Sequence, residues 1–141
     1  MNKSLLYIVA LIIFSSCSSR DSSPNDSLLC TGVFNYVTIQ VLTQNQEPAQ
    51  LNELSVVEKN TDREIDLCHS DMCGNQGFIG NTESGLYTIM HDHFAGEIDG
   101  ELELSVSGSG DKGSFSETFV IEDDGCHVSK ISGPDQVVLS P

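Results

Sequence analysis

Apolar and polar residues alternate along most of this chain with a period of two. Tyr36-Val37-Thr38-Ile39-Gln40-Val41 places Val37, Ile39 and Val41 on one face, which predicts a half-buried strand. Gln44 to Pro48 carries turn residues, Leu54 to Glu58 predicts a second strand, and Lys59-Asn60-Thr61-Asp62 turns again. Arg63 to Leu67 reads as a short third strand. Cys68 to Asn81, which contains Gly and Asn, predicts irregular chain with Phe78 and Ile79 tucked inward. Gly85 to Met90 is a strand. Leu102, Leu104 and Val106 alternate with Glu101, Glu103 and Ser105, so the next strand has one wet face. Ser107 to Gly113 predicts a hairpin turn, Phe115, Phe119 and Ile121 mark the strand after it, and Val137-Val138-Leu139 ends the fold. No segment has a helical period. Strands and turns at roughly ten-residue spacing predict an all-β sandwich.

The first residues follow a different pattern. Met1-Asn2-Lys3 supplies a positive start, and Leu5 to Phe14 an apolar run of signal-peptide length. That run is shorter than the roughly 20 residues a bilayer-spanning helix needs. Phe14-Ser15-Ser16-Cys17 resembles the lipobox of bacterial lipoproteins. The resemblance implies cleavage before Cys17 and acylation of that cysteine with several chains, palmitate among them. One chain holds a protein to a bilayer marginally, whereas two or more hold it stably. An ordinary secretory signal cut nearby is the alternative. The expected organisation is a lipoprotein signal peptide over 1–16, a flexible Ser/Asp/Pro-rich tether over 17–29 and a sandwich domain over 30–141. The same resemblance makes the lipid membrane a partner. Ser18 rather than Asp follows the cysteine, and the resemblance to Gram-negative lipoproteins then implies the outer membrane, with its periplasmic and surface faces both open.

Charge narrows the partners. The chain has 21 acidic and 6 basic residues, and loss of Lys3 with the signal leaves the mature chain at −16. Such a charge repels nucleic acid, so none is expected as a partner. It suits a soluble surface on an exported domain, and a protein or glycan is the expected further partner. Four cysteines follow Cys17, an even number that suggests disulfides in an oxidising compartment. Of the three possible pairings, Cys30–Cys126 with Cys68–Cys73 is favoured here. The first staples the start of the first strand to the last strand, and the second pinches one loop.

The order of segments also resembles carboxypeptidase regulatory-like domains. The carrying residues are Val37-x-Ile39-x-Val41, Leu54-x-Val56, Gly85-x-Tyr87-x-Ile89, Leu102-x-Leu104-x-Val106, Phe119-x-Ile121 and Asp124-Gly125-Cys126-His127-Val128. The resemblance implies a seven-stranded immunoglobulin-like or transthyretin-like sandwich over about Cys30 to Leu139, with Tyr87 packed between the sheets. It implies accessory or binding roles and no catalytic residues, so a non-enzyme is expected. Arg63 to Asn81 lies outside the common pattern.

Three constellations could carry chemistry. His91-x-His93 in an extended strand would put two imidazoles on one face, a start for a zinc or copper site. The plainer reading is two solvent-facing histidines where a strand ends. Asp92, Glu97, Asp99, Glu101 and Glu103, with Gly96 and Gly100 to curve the chain, offer oxygens to calcium but follow no EF-hand pattern. Metal or calcium binding is therefore the alternative function, and no cofactor is expected otherwise. A hydrolase lacks support: there is no Gly-x-Ser-x-Gly elbow, no Trp, and a bridged Cys126 cannot act as a thiol nucleophile beside His127. Gly108-x-Gly110-x-x-Gly113 sits in a β-turn with no helix after it, so it is not a phosphate loop.

Overall fold

The computed structural model describes residues 30–68, 73, 78–98 and 100–141. The expected signal peptide over 1–16 and the expected tether over 17–29, Cys17 included, lie outside the described residues. Nine strands form: β1 (Tyr36–Leu42), β2 (Glu53–Glu58), β3 (Arg63–Glu64), β4 (Gly80–Asn81), β5 (Leu86–His91), β6 (Glu101–Gly110), β7 (Gly113–Asp123), β8 (Val128–Ser132) and β9 (Gln136–Val138). They make two sheets, ordered β4-β5-β1-β9 and β3-β2-β6-β7-β8. Pairing is antiparallel except for β1 with β9, which run parallel. The all-β sandwich is as expected.

The strand count corrects the expected seven through two added strands, β4 and β8, and the bounds of β6 and β3 also differ. The stretch expected to be irregular contributes β4, whose Gly80 pairs with Tyr87. A side chain there would put its Cβ 2.5 Å from the Tyr87 ring, so glycine permits the pairing. β8 lacks an alternating pattern, because it is an edge strand bound on one side to β7. β6 runs on through Ser107-Gly108-Ser109-Gly110, and the hairpin turns at Asp111-Lys112 rather than earlier. These glycines are strand residues because the chain packs closely there. A Cβ at Gly108 would lie 2.5 Å from the Phe115 ring, and one at Gly110 would lie 2.2 Å from Gln50 O. β3 stops at Glu64, short of the expected Leu67.

The alternating residues meet between the sheets. Ile39 and Val41 of β1, Tyr87 and Ile89 of β5, Val56 of β2, Leu104 and Val106 of β6, and Phe119 and Ile121 of β7 are buried there. Each such side chain stabilises the fold by about 1.5–3 kcal/mol relative to exposure. Tyr87 lies in this core, as the resemblance implied, and its hydroxyl is satisfied. It donates to Ala49 O at 2.9 Å and accepts from Leu51 N–H at 2.9 Å. Its hydroxyl thereby fixes the β1–β2 connection against β5.

Candidate functional site

The polar chemistry gathers at one end of the sandwich, where β5 finishes and residues 30–35 lead into β1. Two disulfides form, Cys30–Cys126 and Cys68–Cys73, with Cα–Cα distances of 5.2 and 5.4 Å. These are the expected pairs. Beyond Cys68–Cys73, a cavity of about 310 Å³ is lined by Leu54, Val56, Ile65, Leu67 and Phe78 with the carboxylates of Glu64 and Asp66.

β5 ends at His91, and Asp92–Phe94 then form a short 3-10 turn. His91 Nδ1 accepts from His93 N–H at 3.2 Å, and His91 Nε2 lies 3.2 Å from Leu67 O. A peptide N–H can only donate and a carbonyl can only accept. The imidazole is therefore neutral with its proton on Nε2. His91 is fully buried, whereas His93 is exposed in the turn. The two histidines therefore share no strand face, because the strand ends between them. Their rings nevertheless stand edge to face with centroids 6.0 Å apart. The burial of His91 corrects the plainer reading of two solvent-facing histidines. A metal at either ring nitrogen of His91 would have to displace the hydrogen bond that nitrogen makes. Among the described residues, no three His, Cys, Asp or Glu side chains stand together as a metal site.

Asp92 has a different role. Its Oδ2 accepts from Asn35 N–H at 2.7 Å and from His127 Nδ1 at 2.6 Å, and its Oδ1 accepts from Val128 N–H at 2.9 Å. Its own N–H donates to Asn35 O at 3.1 Å. The carboxylate is 6% exposed. Burial pushes its pKa up, but the donors from Asn35, His127 and Val128 outweigh that and hold it below the ordinary carboxylate value. The other nitrogen of the same imidazole, His127 Nε2, lies 2.7 Å from Thr31 Oγ1. In the tautomer with its proton on Nδ1, donated to the carboxylate, the imidazole leaves Nε2 to accept from the Thr31 hydroxyl.

The turn before β8 is shaped to present His127. Gly125 takes a φ of +87°, which favours glycine, and Asp123 Oδ1 accepts its N–H at 2.7 Å. Asp124 Oδ1 accepts from Cys126 N–H at 2.9 Å and His127 N–H at 2.8 Å. Those two donors, His127 first, hold the Asp124 carboxyl below its ordinary value. The Cys30–Cys126 bridge then lays Cys30-Thr31 beside Cys126-His127.

Thr31, His127 and Asp92 stand in series as hydroxyl, imidazole and carboxylate. That order orients an imidazole base toward a hydroxyl, and acyl transfer would further require donors for an oxyanion. Here the series also joins three pieces of chain: the segment before β1, the end of β5 and the start of β8. Sequence reasoning missed it. Asp92 was counted with an acidic run and His127 with Cys126, and Thr31 was not singled out. The separations, 35 residues for Asp92–His127 and 96 for Thr31–His127, leave no local spacing to read. The acidic run itself disperses. Glu103 pairs with Lys59, Glu101 lies in register with Glu122, and Asp99 is outside the described residues.

Comparison of the chain with protein-family models, with curated proteins and with solved structures found no match.

Proposed function

We propose that this chain is a cell-envelope lipoprotein, anchored through acylated Cys17 in the outer membrane, that presents a small β-sandwich binding or structural module. One observation carries the reading. The sequence has five cysteines, and the two bridges use the four after Cys17. Cys17 is thus left for other chemistry, at the end of an apolar run and after two small residues. The two-sheet sandwich and the buried Tyr87 support a likeness to carboxypeptidase regulatory-like domains, with nine strands in place of seven. The metal-binding alternative would need a third ligand beside His91 and His93, and none stands with them among the described residues.

Intact mass and vesicle flotation of the chain recovered from cell membranes test this proposal. A mass starting at Cys17, raised by acyl chains and lowered by four protons for two disulfides, is expected. Loss of flotation in Cys17→Ser is also expected. An unacylated chain in the soluble fraction, or near-stoichiometric zinc or copper with free thiols, would overturn it.

A further inference from the structure

Resting on the anchored reading, we propose that Val33, Phe34 and Tyr36 form a lipid-facing surface that seats this end of the sandwich on the membrane. Six large hydrophobic side chains are exposed among the described residues, and three of them fall within the four positions 33–36. Val33 is 66% exposed, Phe34 44% and Tyr36 50%, whereas Leu86, Ile131 and Val138 sit singly elsewhere. Isolated exposed hydrophobics are ordinary, but a contiguous group marks a contact surface. The group is also held in shape. The rings of Phe34 and Tyr36 lie 5.0 Å apart, and both lie against buried His91, at 5.8 and 6.1 Å.

Charge says what kind of partner fits. In a chain with 21 acidic residues, Ser27 to Gln46 contains no charged residue at all. The nearby carboxylates turn toward protein donors, Asp92 to Asn35, His127 and Val128, and Asp124 to Cys126 and His127. An uncharged surface of aromatic and aliphatic side chains matches the boundary between headgroups and acyl chains, where amphipathic rings concentrate. An acidic protein of this kind would avoid anionic headgroups, so the matching surface is a zwitterionic one.

Position says why a membrane is within reach. The group begins three residues after Cys30, and the 13 residues 17–29 separate Cys30 from the lipid attachment. That length spans at most roughly 45 Å when extended. A module held so close meets the bilayer at high effective concentration, so three side chains suffice for docking that would be negligible in solution. The Cys30–Cys126 bridge and the bonds to Asp92 keep the group at that end of the fold.

The test is oxidative footprinting of the full chain on phosphatidylcholine vesicles, beside the Cys17→Ser chain with the same vesicles. Flotation is read first, so the two proposals fail separately. Anchored protein should show Phe34 and Tyr36 protected roughly threefold relative to Cys17→Ser, with Leu86 and Val138 labelled equally in both. Equal labelling of Phe34 and Tyr36 in protein that floats would overturn the docking surface and leave the anchor standing. Protection that persists in Cys17→Ser without vesicles would point to a protein contact and would also overturn it. A chain that fails to float would overturn both proposals.

Discussion

Two polar side chains each gather distant pieces of this fold, and they do so in opposite ways. Tyr87 sits between the sheets as a neutral hydroxyl and bridges Ala49 and Leu51. Asp92 sits at the end of the sandwich as an ion and bridges Asn35, His127 and Val128. Tyr87 adds a large ring to an apolar core, so most of its contribution is packing. Asp92 adds almost no apolar area, so its contribution is electrostatic and depends on every donor remaining in place. One fold thus uses burial to fix its middle and a charge to fix its end.

The largest way to break the comparison is to cut the covalent link beside Asp92. Replacing Cys30 and Cys126 together by Ser should cost about 4–5 kcal/mol, because the bridge closes nearly the whole domain. Denaturant unfolding measures this, and a loss below ~1 kcal/mol would mean the noncovalent clamp suffices. Tyr87→Ala should cost about 3–5 kcal/mol through the lost ring and the cavity it leaves. A cost under ~1 kcal/mol would contradict the burial seen here. Asp92→Ala should cost less, about 2–4 kcal/mol, by stranding three donors from two segments. Amide exchange should then rise at Asn35 and Val128 and stay unchanged at Leu51; a uniform rise would deny a local clamp. Tyr87→Phe, which keeps the ring, should cost only about 1–2 kcal/mol.

Titration sharpens the contrast. The Asp92 carboxyl is held below its unfolded value of about 3.9. Its contribution is present above that pH and is lost as pH falls through the lower, folded value. Burial raises the Tyr87 hydroxyl, with Leu51 N–H partly opposing the shift. Its contribution is therefore present below about pH 10 and is lost as pH rises from there toward the folded value. Asp92→Asn should flatten the acid limb of the stability profile and Tyr87→Phe the alkaline limb. An unchanged acid limb in Asp92→Asn would assign that limb to other carboxylates.

The two sites also differ in how far the sequence reveals them. Tyr87 lies in a strand with flanking alternation, and a family likeness marked it for the core. The pairing of Cys30 with Cys126 was expected from their places near the two ends of the domain, although Cys126 leads into β8, which the alternation did not mark, and not into the last strand. Asp92 carried no such mark, because its partners are backbone N–H groups and a histidine brought close by the sheet order. Period-two alternation reports which face a residue takes, not which turn lies opposite it. His91 misled for a related reason. A histidine before a turn looks wet in sequence, but Nδ1 caps the turn and Nε2 reaches Leu67 O, so the ring is buried with both nitrogens satisfied. The glycines of β6 misled because glycine signals a turn and a close approach of chains equally well.

The Cys30–Cys126 bridge has a mechanical consequence. Without it, a pull on the chain ahead of Cys30 would load β1 first and tend to peel it from β5 and β9. With it, the load divides at Cys30, part going into β1 and part crossing to the head of β8 in the other sheet. Both sheets then resist together, in the manner of a rope tied off at two posts.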